Sequence, residues 1–211
     1  MQPNITFILL AGGKSERMGI DKGLLKYHHT FWILEQLHRI SKTSIKNVFI
    51  GLGYNYKNYF NAIPWFENAT KKPYVFNKLN VKIVINDKPE FGAFSTLQAV
   101  LNEIKQPEHV LINHIDIPIL NPIDFNKIIA LNNAVVIPLF NNKKGHPVKL
   151  SHSFCKQLIN VDLLNEDARL DFQIKKLPKA NISFIVVKDD SVIKNLNTRK
   201  DWISYLKNNS N

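Results

Sequence analysis

The sequence predicts an α/β fold of three layers, α/β/α, around a mostly parallel sheet. Three observations carry that reading. The first apolar run, "ITFILLA" (Ile5 to Ala11), is short, nearly continuous and followed by Gly-Gly, the pattern of a strand buried on both faces. Behind it come a loop, a stretch with apolar residues at helical spacing and a second apolar run, which is the start of a βαβ unit. The alternation then recurs along the chain.

Taken in order, "FWILEQLHRI" (Phe31 to Ile40) places Ile33, Leu34, Leu37 and Ile40 on one helical face. "NVFIGLG" (Asn47 to Gly53) is the second strand and "VKIVIND" (Val81 to Asp87) the third. "STLQAVLNEI" (Ser95 to Ile104) reads as a helix, and "HVLINHID" (His109 to Asp116) as a strand ending on a carboxylate. "AVVIPLF" (Ala134 to Phe140) and "ISFIVVK" (Ile182 to Lys188) complete the strands. Helices are expected at Pro122 to Leu131, Ser153 to Ile159, Arg169 to Lys176 and Thr198 to Lys207. The aromatic-rich stretch from Tyr54 to Asn80 has no clean periodicity and reads as a surface excursion over the sheet edge, with a partner-binding flap as the other option.

The 211 residues suit one domain spanning 1–211, and 45% apolar residues are enough to build a core. A single cysteine, Cys155, cannot form an internal disulfide, and "MQPNITFILLAGG" has neither the basic start nor the cleavage site of a signal peptide. The expected location is the cytoplasm. No apolar run approaches the roughly 18 residues of a membrane span, so no membrane partner is expected. The net charge of +11 raises nucleic acid as a ligand, but the lysines are scattered from Lys14 to Lys207 without a basic block or aromatic interleaving. A solvated Lys-rich surface with a site for small phosphorylated ligands fits the charge equally well, and no nucleic-acid partner is expected.

Four of the eight glycines fall within "LLAGGKSERMGIDKGLLKY" (Leu9 to Tyr27), beside Lys14, Arg17 and Lys22. This is not a P-loop, because the first glycine of G-x-x-x-x-G-K-[ST] would fall at Ile8. Nor is it a dinucleotide fingerprint, and "GLGYNY" fails that test at Tyr56. What remains is a glycine-rich turn between strand and helix: either an ordinary βα turn with solvated lysines, or one whose free N–H groups make an anion-binding concavity. Open α/β sheets bind ligands outside the carboxyl ends of their strands, where this loop must lie.

From Leu10 to Lys22 the chain fills every fixed position of L-A-G-G-x-S-x-R-M-G-x-D-K, and so resembles the nucleotidyltransferases that attach a nucleotide to the molybdenum cofactor. Further segments follow in the family's order. "NDKPEFGAFSTLQAVL" (Asn86 to Leu101) is similar to the element beside base and ribose, and "HIDIPIL" (His114 to Leu120) to the D-x-P segment whose aspartate holds magnesium. "KKGHPVKL" (Lys143 to Leu150) resembles the G-H-P element of the cytidylyltransferase branch, so Gly145, His146 and Pro147 favour that branch. "NLNTRKDW" (Asn195 to Trp202) resembles the closing motif, but Asn195 and Asn197 stand where acidic residues are common, which puts a second metal ligand there in question. "KYHHTFWIL" (Lys26 to Leu34) also lacks a glycine the family usually has.

The resemblance implies a Rossmann-like nucleotidyltransferase fold of the nucleotide-diphospho-sugar transferase kind and transfer of a nucleoside monophosphate from CTP to a phosphorylated pterin. Mg²⁺ is the implied cofactor, and a molybdoenzyme or its chaperone a further partner. Leu10, Ala11, Gly12, Gly13, Lys22, Asn86, Gly92 and Ser95 would bind the nucleotide. Arg17 and Lys22 would neutralise the triphosphate, Asp116 would hold the metal, and His146 would contact the acceptor. Asp21 is read as a structural partner of Lys22 or Arg17. Two readings stay open beside this one: a sugar phosphate or another small phosphorylated acceptor, and a nucleotide-binding regulator without turnover.

Overall fold

The computed structural model describes residues 5–105 and 109–209. In chain order the strands are β1 (Ile5–Ala11), β2 (Lys26–Tyr27), β3 (Thr30–Phe31), β4 (Asn47–Leu52), β5 (Tyr74–Phe76), β6 (Leu79–Ile85), β7 (His109–His114), β8 (Val135–Phe140), β9 (Lys143–Lys144), β10 (Val148–Ser151) and β11 (Ile182–Val186). The helices are α1 (Trp32–Ser41), α2 (Tyr56–Ala62), α3 (Trp65–Ala69), α4 (Gly92–Glu103), α5 (Pro122–Ala130), α6 (His152–Ile159), α7 (Leu170–Lys175) and α8 (Arg199–Asn208).

The main sheet runs β11-β8-β10-β7-β1-β4-β6-β5, with β9 pairing β8. Its centre, β7-β1-β4-β6, is parallel throughout. β10, β5 and β9 pair antiparallel, so the parallel core that the sequence predicts belongs to a mixed sheet. The reason lies in "KKGHPVKL": the chain turns back after β8 through Asn141 and Asn142 at φ 49° and 61°, and β10 slots between β7 and β8. Lys149 interrupts the apolar pattern of β10 and hides the strand in the sequence. Its side chain is wholly buried and donates to the carbonyl oxygens of Ile129 and Leu131, both at 2.6 Å, at the end of α5.

β1 is buried along its whole length because alternate side chains enter different cores. Phe7 and Leu9 join the core under α1, α2, α3, α5 and α8, whereas Ile8 and Leu10 join that under α4, α6 and α7. These are the two outer layers. The chain leaves β1 for β4 and β6 on one side and returns to place β7 on the other, so the strand order reverses beside β1 and opens a crevice at the carboxyl ends of β1 and β7.

The 54–80 stretch covers the sheet edge through β5, and it also enters the core, where Tyr59, Ile63, Phe66 and Ala69 are buried. Its period is hard to read because two short helices, α2 and α3, share it with a three-residue strand.

Candidate active site

The Leu9 to Tyr27 loop owes its shape to local contacts. Ser15 adopts φ 56°, and its hydroxyl accepts the N–H of Lys22 at 3.2 Å, closing the loop. Asp21 is buried and accepts from Asn55 Nδ2 at 3.2 Å and Asn58 Nδ2 at 2.8 Å. This corrects the expected pairing of Asp21 with Lys22 or Arg17: the two amides approach from the start of α2. The N–H of Gly23 donates to the Tyr59 hydroxyl at 3.3 Å, and a Cβ at Gly23 would lie 2.7 Å from the Tyr59 ring. The aromatic stretch thus anchors both neighbours of Lys22.

Leu10, Ala11, Gly12, Gly13 and Lys22 line a cavity of about 390 Å³ together with Asp116. The N–H groups of Gly13 and Lys14 donate no hydrogen bond among the described residues, and consecutive N–H groups of this kind can donate to an anion. Gly12 is required by close approach, since a Cβ there would sit 2.7 Å from Thr96 Oγ1 and 3.2 Å from the Gly53 nitrogen.

Lys22 Nζ donates to Asp116 Oδ2 at 2.8 Å and to Asn197 Oδ1 at 2.7 Å. Residues 22, 116 and 197, far apart in sequence, meet at the mouth of the crevice. The main chain around Asp116 is pinned by Trp32 Nε1 to Ile115 O at 2.7 Å and by Leu196 N–H to Asp116 O at 2.8 Å. Asn197 precedes α8, whose capping box joins Thr198 and Asp201. Two oxygens converging on one positive centre form a donor set that suits a hard divalent cation keeping most of its waters. Among the described residues no group of three or more His, Cys, Asp and Glu could hold a metal.

The remaining expected residues divide. Gly92 lines both this cavity and a neighbouring one of about 700 Å³, and its φ of 77° is open to glycine. Asn86 and Ser95 are buried and bonded to each other at 2.8 Å; Asn86 Oδ1 takes the N–H of Lys88 at 2.9 Å, so this pair shapes the loop that carries Gly92. Arg17 stands exposed on a single turn (Glu16–Met18), outside the cavity lining, with no ion pair among the described residues.

His146 lines the larger cavity, and its Nδ1 lies 3.2 Å from the carbonyl oxygen of Ile112, which can only accept. Nδ1 therefore carries the proton and Nε2 remains an acceptor. Burial, reinforced by the nearby His114, pushes His146 down to about 4. The His114 ring meets His146 edge-on at 4.9 Å and is itself held below its ordinary value, by burial first and then by Lys22 against the pull of Asp116. His114 lines both cavities and was not singled out as a site residue; its signal was its place at a strand end, two residues before Asp116.

These features define a class: an α/β protein with a glycine-rich loop lining a cavity at the switch point of its sheet, a Lys–Asp pair at the cavity's mouth and a second cavity alongside. The MobA-like NTP transferase domain pattern matches residues 7–180, and the chain belongs to that family of nucleotidyltransferases. Molybdenum cofactor cytidylyltransferase of Escherichia coli (strain K12) is 28% identical over 156 residues, 74% of each chain. A homologue of Mycobacterium tuberculosis Rv0371c from Mycobacterium sp. strain JC1 has the same fold, with a TM-score of 0.76 at 18% identity over 99% of this chain and 98% of that one. Rv0371c from Mycobacterium tuberculosis H37Rv, crystallised in complex with manganese, gives a TM-score of 0.70 at 16% identity over 97% and 98% of the two chains.

Proposed function

We propose that this protein transfers the CMP moiety of CTP to a phosphorylated pterin of the molybdenum cofactor, releasing pyrophosphate, with Mg²⁺ as cofactor. The observation that carries the reading is the Lys22–Asp116 pair, 2.8 Å apart, beside the free N–H groups of Gly13 and Lys14. The G-H-P segment and the 28% identity to the Escherichia coli cytidylyltransferase support CTP and the pterin. The metal complex of Rv0371c supports a divalent cation.

An acceptor phosphate oxygen attacks the α-phosphorus, the bond to the bridging oxygen breaks, and pyrophosphate leaves with the electron pair. No general base is needed, because a phosphate is already ionised at neutral pH. Catalysis is then positioning and charge neutralisation. The loop amides hold the triphosphate and Lys22 meets the charge that develops on the departing pyrophosphate; Arg17, exposed outside the cavity lining, would have to swing in to add its charge. Asp116 Oδ2 and Asn197 Oδ1 would hold Mg²⁺, which when bound supplies Lewis-acid neutralisation of the phosphate oxygens.

The larger cavity, walled by Phe94, Leu97, Ile137, Val148 and Ile174, suits the body of the acceptor. The apolar wall suits the flat face of a heterocycle, and His114, Lys144, His146, Arg169, Asp171 and Lys175, which line the same cavity, offer polar partners to its edge and its phosphate. Neutral His146 offers its Nε2 as an acceptor there. Pyrophosphate release measured with each of the four NTPs, Mg²⁺ and candidate acceptors tests the reading: release is expected with CTP and the pterin, and its absence with every pair would discard it.

A further inference from the structure

The seat formed by Asp116 and Asn197 already holds a cation, the ammonium of Lys22. We propose that this ammonium and the divalent metal compete for the one seat, and that the triphosphate, by drawing Lys22 away, opens it; metal and nucleotide therefore load cooperatively. The inference rests on the reading of the site as a metal-assisted nucleotidyltransferase.

The backbone of each partner is fixed, so the exchange needs only side-chain motion. Lys22 is flanked by the Asp21 and Gly23 anchors, at Asn58 and Tyr59. The Asp116 main chain is held through Ile115 by Trp32 and through its own carbonyl by Leu196. Asn197 is tied by its N–H to Asp201 Oδ2 at 3.2 Å. The lysine stem, with four rotatable carbons, is the mobile part. Among the described residues Asp116 is the only carboxylate within ion-pair reach of Lys22, and the pair is shielded, at 14% and 19% side-chain exposure, so solvent screens it poorly. One carboxylate oxygen cannot serve an ammonium and a divalent cation fully at once. The N–H groups of Gly13 and Lys14 line the same cavity, so a triphosphate seated on them stands within reach of Lys22 and competes with Asp116 for it. Whatever factor the nucleotide adds to metal affinity, the metal adds to nucleotide affinity.

The test uses Mn²⁺ alone as probe, on the full chain without nucleotide or acceptor, with loss of the free-ion electron paramagnetic resonance signal as the readout. Wild type should bind weakly, and Lys22→Met should bind roughly tenfold tighter or more. Adding Asn197→Ala to Lys22→Met should cancel most of that gain, and Asp116→Asn should abolish binding in either background. Lys14→Met removes a charge from the same cavity without touching the seat and serves as the electrostatic control. Binding to Lys22→Met no tighter than to wild type, or an equal gain from Lys14→Met, would overturn the proposal. Should Lys22→Met be unfolded by circular dichroism, Lys22→Gln is measured in its place against the same criteria. Neither nucleotide nor acceptor enters this titration, so a protein that shows the gain but releases no pyrophosphate refutes the function and keeps the seat, and one that turns over without the gain does the reverse.

Discussion

The side-chain amide of Gln36 donates to the carbonyl oxygen of Ile117 at 2.8 Å, while its own oxygen accepts the N–H of Ile119 at 3.2 Å. With Trp32 bonded to Ile115, helix α1 grips the chain on both sides of Asp116. A wholly buried glutamine in the middle of an amphipathic helix is thereby explained: it is a strut for the loop that carries the carboxylate.

Gln36→Leu keeps the volume and removes both bonds, leaving the Ile119 N–H buried without its partner. A loss of about 1–3 kcal/mol in unfolding free energy is expected from denaturant titration. Asp116 would lose its support, so kcat should fall more than KM for the nucleotide rises. Equal effects on both constants would contradict a positioning role.

Gly12 and Gly53 approach each other too closely for side chains. A Cβ at Gly53 would lie 2.6 Å from the carbonyl oxygen of Gly12, a backbone obstacle, whereas Gly12 would first meet the Thr96 side chain at 2.7 Å. Either alanine should cost about 1–3 kcal/mol. Thr96→Ala should recover part of the loss in Gly12→Ala and none in Gly53→Ala, as read from thermal melts of the double variants.

His146, pushed down to about 4, stays neutral through the whole range in which phosphate transfer is assayed. His146→Gln should therefore raise the acceptor KM without moving any inflection of the pH–rate profile between about 5 and 9. The unfolded chain takes up this proton near 6.5 and the folded chain only near 4, so His146 costs stability as pH falls across that window. Wild type should lose more stability than His146→Gln between those two values.

Burial pushes the Cys155 thiol up to about 12 from an ordinary 9.0, so the fold holds it protonated. A thiol reagent at pH 8 should label the native protein far more slowly than the unfolded one. The unfolded thiol ionises first, so stability should decline as pH rises from about 9 towards 12, and Cys155→Ala should be spared that part of the decline. Prompt labelling of native protein would contradict the burial.

Tyr59 on α2 anchors the signature loop at Gly23. Tyr59→Phe removes the hydroxyl that accepts the Gly23 N–H and keeps the ring against which Gly23 packs. A cost of about 0.5–1.5 kcal/mol is expected, together with weaker nucleotide binding by calorimetry. Unchanged nucleotide affinity would show that the loop holds its shape without the α2 anchor.

Much of this was legible in the chain because it is local. The nearly continuous apolar run Ile5–Ala11, the helical spacing of Ile33, Leu37 and Ile40, and the glycine-rich loop each express a short-range rule, and together they point to the three layers and to the end of the sheet where open α/β folds take their ligands. Resemblance along the chain named Lys22 and Asp116. The partner of each needed the tertiary structure. β10 was hidden because a buried lysine capping α5 looks like a solvent-facing one until the carbonyls of Ile129 and Leu131 are seen around it. Asp21 found Asn55 and Asn58, and Asn86 found Ser95 and Thr96, through contacts set by packing and not by spacing. That Lys22 and Asp116 neutralise each other, with Asn197 as the third member, depends on the carboxyl ends of β1 and β7 lying side by side in register, Leu10 opposite His114. Residue type and local period set which elements form; which charges meet is decided by the order in which those elements pack.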